Sequence, residues 1–260
     1  MTEGELKHFF DKHGIKATIN HYTALKRRIY YATIGEDHLP AILFIHGAPA
    51  SMTIYKDYFT DEELLKRFSM YAVDRAGFGV TAGHAEPSIQ KQAEMIFPLA
   101  ERIHRVHQPL LIMAGSYGVS IACRMVMDHP GFIKGMVLVA PSLGPGLETM
   151  YWVTPFLTRG ILSKIVSKEY KVASIEKMHH KKELEKMIPL WNKIDIPIFY
   201  LQSENDNIVY PSNAEFAKQH LVACPFLKIR FFKGRKHNID SKHHIEIRNK
   251  IIELAKLMVK

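Results

Sequence analysis

The chain has 260 residues, 47% hydrophobic and 23% charged, which is enough to bury one large core and is ordinary for a soluble globular protein. Its formal charge of +9 raises nucleic acid as a partner, but the basic residues are scattered from Lys26-Arg27-Arg28 through Lys181-Lys182 to Lys256 and Lys260, without interleaved stacking aromatics. A solvated basic surface is therefore expected and no nucleic-acid partner; no apolar run approaches the ~20 residues of a membrane span.

Alternation near the N-terminus predicts two antiparallel strands, Lys16 to Tyr22 and Arg27 to Thr33, joined by a turn. Ala41 to His46 is a continuous apolar run, the mark of a strand covered on both faces. Glu62 to Arg67 reads as helix and Ser69 to Asp74 as another buried strand. Ser88 to Val106 is an amphipathic helix with an expected interruption near Pro98. An apolar strand from Leu110 ends at Ala114, a helical stretch runs from Val119 to His129, and Gly135 to Ala140 is a further strand.

Strands alternating with helices in this way imply a mainly parallel sheet with helices on both faces, an α/β fold. The alternation stops at Pro141. From Ser142 to Leu190 only helical patterns appear, Tyr170 to Lys177 and Lys181 to Met187, after which Ile196 to Leu201 and Leu227 to Phe232 resume the strands. A terminal helix, Ile245 to Met258, closes the chain. Residues 1–141 and 191–260 are thus expected to form the core, and residues 142–190 a small helical cap resting on the strand ends.

Ligands of an open α/β sheet bind at the carboxyl ends of its strands. Four of these ends carry reactive or permissive residues. Ala114-Gly115-Ser116-Tyr117-Gly118 is a small-x-Ser-x-Gly turn between strand and helix, which projects the serine hydroxyl and aims free helix N–H groups at the same spot. His46-Gly47-Ala48-Pro49 follows the first buried strand, Asp206 follows the strand ending at Leu201, and His237 follows the last strand.

The order Ser, Asp, His, the elbow, the His-Gly-x-Pro loop and the cap position resemble the α/β-hydrolase fold, and more closely a group of small bacterial serine hydrolases of the esterase/lipase type. The likeness also rests on Asp74-Arg-Ala-Gly-Phe-Gly79, Val137-Leu-Val-Ala-Pro141, Pro189-Leu-Trp191 and Asn205-Asp-Asn-Ile-Val209. It implies Ser116 as nucleophile, His237 as base and Asp206 as the carboxylate that orients the imidazole. Backbone N–H groups of Ala48 and Tyr117 are implied as the oxyanion hole. The sequence departs from the family pattern at Ala114, in place of the first glycine, at Gly115, where many relatives have histidine, and at Val119, in place of a second glycine.

Competing acids are Glu204, Asp195 and Asp74, and competing bases His243 and His244; His46 is expected to brace its loop. The pairs His179-His180 and His243-His244 lack a third ligand at motif spacing, so no metal is expected, and no nucleotide fingerprint is present. Cap aromatics Tyr151, Trp152 and Phe156 are candidates for an apolar substrate pocket or for gluing cap to sheet. Cys123 and Cys224 are read as reduced, and the N-terminus lacks a signal-peptide layout, which together point to the cytoplasm.

The expected activity is a cofactor-free carboxylesterase acting on a small-molecule ester. Alternatives on the same triad are amide or peptide hydrolysis, with a cap carboxylate among Glu148, Glu169, Glu176, Glu183 and Glu185 holding the substrate amine, or C–C bond hydrolysis. A non-catalytic ligand-binding protein of the same fold is the remaining class.

Overall fold

The computed structural model describes residues 1–81, 83–150, 154, 166–234 and 237–258. Its centre is a sheet of strands β1 (Thr18–Ala24), β2 (Arg27–Ile34), β3 (Ala41–Ile45), β4 (Ser69–Val73), β5 (Leu110–Gly115), β6 (Gly135–Val139), β7 (Ile198–Ser203) and β8 (Leu227–Phe232). They lie in the order β1-β2-β4-β3-β5-β6-β7-β8. The β1–β2 and β2–β4 pairs are antiparallel, and every pair from β4 to β8 is parallel. This is the α/β-hydrolase fold.

Helices α1 (Glu3–Lys12), α2 (Lys56–Phe59), α3 (Glu62–Leu65), α4 (Ile89–Val106), α5 (Tyr117–Asp128), α6 (Lys168–Met187), α7 (Asn213–His220) and α8 (His244–Met258) surround it. Each central strand divides its side chains between two cores. Leu43, Ile45, Ile112 and Leu138 pack toward α4 and α5, while Ile42, Phe44, Met113 and Val137 pack toward α1 and α8. Continuous apolar runs are what such double coverage demands.

Three helices differ from the sequence expectation. Pro98 sits inside α4 without breaking it. The ring is exposed, so water can satisfy the carbonyl it frees, while Met95, Ile96, Leu99 and Ala100 hold the helix to the core on both sides. Helix α6 is one element where the periodicity shows two, because its buried face carries Ser174, Glu176, His180 and Glu183 among Val172, Leu184 and Met187. Helix α1 was not expected. Its signal is Thr2-x-x-Glu5: Glu5 N–H donates to the Thr2 hydroxyl at 3.2 Å and Thr2 N–H donates back to Glu5 at 2.6 Å.

Helix α6 belongs to the connection between β6 and β7. Among the described residues no helix is long and apolar enough to cross a membrane.

Candidate active site

Ser116 occupies a sharp turn between β5 and α5, at φ +49° and ψ −120°, a backbone conformation that L-residues rarely adopt. Two features hold it there. Its N–H donates to Val139 O at 2.8 Å, which ties the turn to β6. Gly118 lets α5 start against β3: a Cβ there would lie 2.5 Å from Ile45 O and 2.6 Å from His46 O. Ala114, in the place of the family's first glycine, is fully buried in a turn that still forms. Gly47 permits a second close approach, since a Cβ on it would come within 2.9 Å of Ser116 Cβ. The room this glycine gives is taken by the elbow itself.

The Ser116 hydroxyl and His237 Nε2 are 2.9 Å apart, and His237 Nδ1 is 2.8 Å from Asp206 Oδ2. Asp206 Oδ1 accepts the N–H groups of Ile208 and Val209, both at 3.0 Å, leaving its other oxygen for the imidazole. Burial pushes the Asp206 pKa up, but the hydrogen bond and charge of His237, with those two N–H groups, outweigh it and hold the carboxyl below its ordinary value. A carboxylate at Nδ1 selects the tautomer that leaves Nε2 free to accept the serine proton.

The competitors lie elsewhere. Glu204 and Asp195 are exposed. Asp74 accepts the N–H groups of Met52 and Val80, each at 2.7 Å, and burial raises its pKa to about 6. His243 pairs with Glu246, and His244 with Asp61. His46 braces its loop, donating from Nδ1 to Gly47 O at 2.7 Å and accepting Arg75 N–H at Nε2. Burial and then the Arg75 charge push its pKa well down, so the ring is neutral.

Ala48, Tyr117, Ser116 and His237 line one cleft of about 490 Å³, which is also lined by Glu148, Thr149 and, from α6, Tyr170, Ser174 and Lys177. The Tyr117 N–H is the first of a helix and has no intrahelical acceptor. Among the described residues the Ala48 N–H has no backbone acceptor either. Tyr151, Trp152 and Phe156 lie outside the described residues.

Glu148 and Glu176, named from the sequence as cap carboxylates able to hold a substrate amine, are instead each paired within the protein. Glu148 meets His180 at 2.9 Å and Lys177 at 2.7 Å, and His180 Nε2 lies 3.0 Å from the Ser120 hydroxyl. Burial raises the Glu148 pKa, but electrostatic attraction and hydrogen bonds from His180 and then Lys177 outweigh it and pull the value down to about 2. Arg75 forms a buried bidentate ion pair with Glu176 of α6, at 2.7 and 3.1 Å. Charged residues on a helix face read as solvated in a sequence; only their partners, distant along the chain, reveal that they are buried.

The model of the family described as Serine aminopeptidase, S33 matches residues 36–187. Among curated proteins, the pimeloyl-[acyl-carrier protein] methyl ester esterase of Proteus mirabilis is 24% identical over 115 residues, 44% of this chain and 41% of that protein. The match thus spans less than half of that relative's length. A serine hydrolase from the polyaromatic hydrocarbon-degrading bacterium Cycloclasticus zankles superposes with TM-score 0.72 at 16% identity, covering 90% of this chain and 96% of that one. Carboxylesterase CesB of Bacillus subtilis superposes with TM-score 0.70 at 12% identity, covering 96% and 97%. At these identities the superpositions speak for the fold.

Proposed function

The chain belongs to the serine aminopeptidase S33 family of α/β-hydrolases, and we propose that within it the protein is a carboxylesterase acting on a small or medium ester through Ser116, His237 and Asp206. One observation carries this reading: the unbroken hydrogen-bonded series from carboxylate through imidazole to alcohol at the edge of a cleft. Ser116 Oγ attacks the ester carbonyl carbon while its proton passes to His237 Nε2. Asp206 keeps the ring oriented and stabilises the imidazolium. The carbonyl oxygen becomes an alkoxide that accepts from the N–H groups of Ala48 and Tyr117, one such donor being worth ~3 kcal/mol of barrier. The imidazolium then gives its proton to the departing alcohol, and a water activated by the same ring releases the acid from Ser116. The chemistry needs no group beyond these side chains and water.

Residues 142–190 serve as the cap in this reading, supported by Tyr170, Ser174 and Lys177 lining the cleft. Tyr151, Trp152 and Phe156 are proposed to meet the apolar portion of the substrate. Two free cysteines fit a cytoplasmic protein.

The family's description favours amide hydrolysis as the second reading. It needs a carboxylate free to hold a substrate amine, and three of the five in the cap are committed. Glu176 pairs with Arg75, Glu183 accepts Ile89 N–H and pairs with Lys186, and Glu148 pairs with Lys177 and His180. Rates on p-nitrophenyl esters and aminoacyl-anilides separate the two, esters being expected to turn over faster. Ser116→Ala should lower ester turnover by up to about 10⁶-fold, as where a triad acts as a unit. Near-normal activity in the purified variant would reject Ser116 as nucleophile.

A further inference from the structure

Arg75 is 1% exposed, and its five N–H donors are all used. Nε donates to His46 O at 2.8 Å, and Nη2 to Gly47 O at 2.9 Å. Nη1 donates to Gln92 Oε1 at 2.8 Å, and the two Nη groups grip both oxygens of Glu176. Gln92 in turn donates to Glu176 Oε1 at 2.8 Å, closing a ring of three buried side chains from the β4 end, α4 and α6. The guanidinium also lies 4.9 Å from the centre of the Tyr117 ring.

Gly47 O and Ala48 N–H are opposite edges of one planar peptide group. A cation bonded to that oxygen fixes the direction of the N–H and polarises it toward donating. We infer that Arg75, held in place by Glu176 of α6, is the positioning residue for the oxyanion donor Ala48 N–H, and that it couples the helix over the cleft to catalysis. This rests on the carboxylesterase reading above. The pair has a cheaper structural substitute, because a buried ion pair replaced by apolar residues of similar volume is often neutral or stabilising. A buried pair whose guanidinium also grips the loop carbonyls of His46 and Gly47 is what a positioning role explains. Conversely, removing Glu176 alone would strand a buried guanidinium.

The test is therefore the double variant Arg75→Met/Glu176→Leu, checked for folding by circular dichroism and urea unfolding, with p-nitrophenyl acetate as substrate. Loss of one oxyanion donor costs about 10²–10³ in kcat, so a donor left in place but loosened is expected to lower kcat by about 10–100-fold, with KM little changed. Affinity for a trifluoromethyl ketone, whose hemiketal oxyanion occupies the same hole, should fall by a similar factor. A stable double variant with kcat and ketone affinity within about two-fold of wild type would overturn the inference while leaving the esterase reading intact. Should the double variant not fold, Arg75→Lys keeps a charge for Glu176 but loses the fork, and must still lower kcat with KM unchanged. Wild-type protein inert toward both ester and ketone would overturn the inference and the esterase reading together.

Discussion

Asp206 serves two partners at once, the turn that carries it and the imidazole it orients. Asp206→Asn preserves shape but offers Nδ1–H no charge and permits the wrong tautomer, so kcat on esters should drop by about 10⁴-fold. A loss under about ten-fold would show that the carboxylate is dispensable. Glu148 lends itself to a different measurement. Its folded pKa of about 2 lies below that of an unfolded glutamate, so its contribution is fully present above the unfolded value and disappears as pH falls toward the folded one. From an unfolded pKa of ~4.3, the gap corresponds to ~3 kcal/mol. Glu148→Gln should therefore be destabilised relative to wild type at neutral pH, with the difference in urea midpoint shrinking below ~pH 4. A difference that does not change with pH would contradict the ion-pair account. Ser116, Asp206 and His237, which the structure joins in one hydrogen-bonded series, could be picked out because each follows the end of a strand. The burial and pairing of Arg75, Glu176 and His180 could not, since nothing local marks a charge as buried.

The elements divide along the same line. Strands β3 to β7 were legible because double coverage makes them mainly apolar, and helices α4 and α8 because of their apolar periodicity. Helix α6 was half legible: its ends carry apolar residues, but its middle turns Glu176 and His180 inward. The β1–β2 hairpin is a case where local chemistry and structure disagree. Leu25 and Lys26 form its two-residue turn at φ +46° and +62°, a conformation suited to Asn-Gly. Leu25 is half exposed. Left-handed backbone costs a residue such as leucine or lysine ~1–2 kcal/mol. Replacing the pair by Asn-Gly should raise Tm by about 2–4 °C for each kcal/mol relieved, with ester turnover unchanged. An unchanged or lower Tm in calorimetry would show that the turn carries no such strain.

Taken as a whole, the molecule is a sheet whose carboxyl edge assembles three chain segments and a helix laid over them. The sequence order of strands and helices carried the fold, since a parallel sheet with crossover helices leaves few topologies. It did not carry the wiring between layers, in which α6 reaches β4 through Glu176 and Arg75, and the segment after β6 reaches α6 through Glu148 and His180. Those contacts join residues far apart in the chain and obey no periodicity. In the proposed mechanism this assembly turns an ordinary hydroxyl into a nucleophile. It is tested most directly by treating the purified protein with a fluorophosphonate and locating the adduct by mass spectrometry. One phosphonyl group on Ser116 is expected, with labelling abolished in Ser116→Ala and greatly slowed in His237→Ala. A wild-type protein left unlabelled, or labelled equally fast without His237, would contradict it.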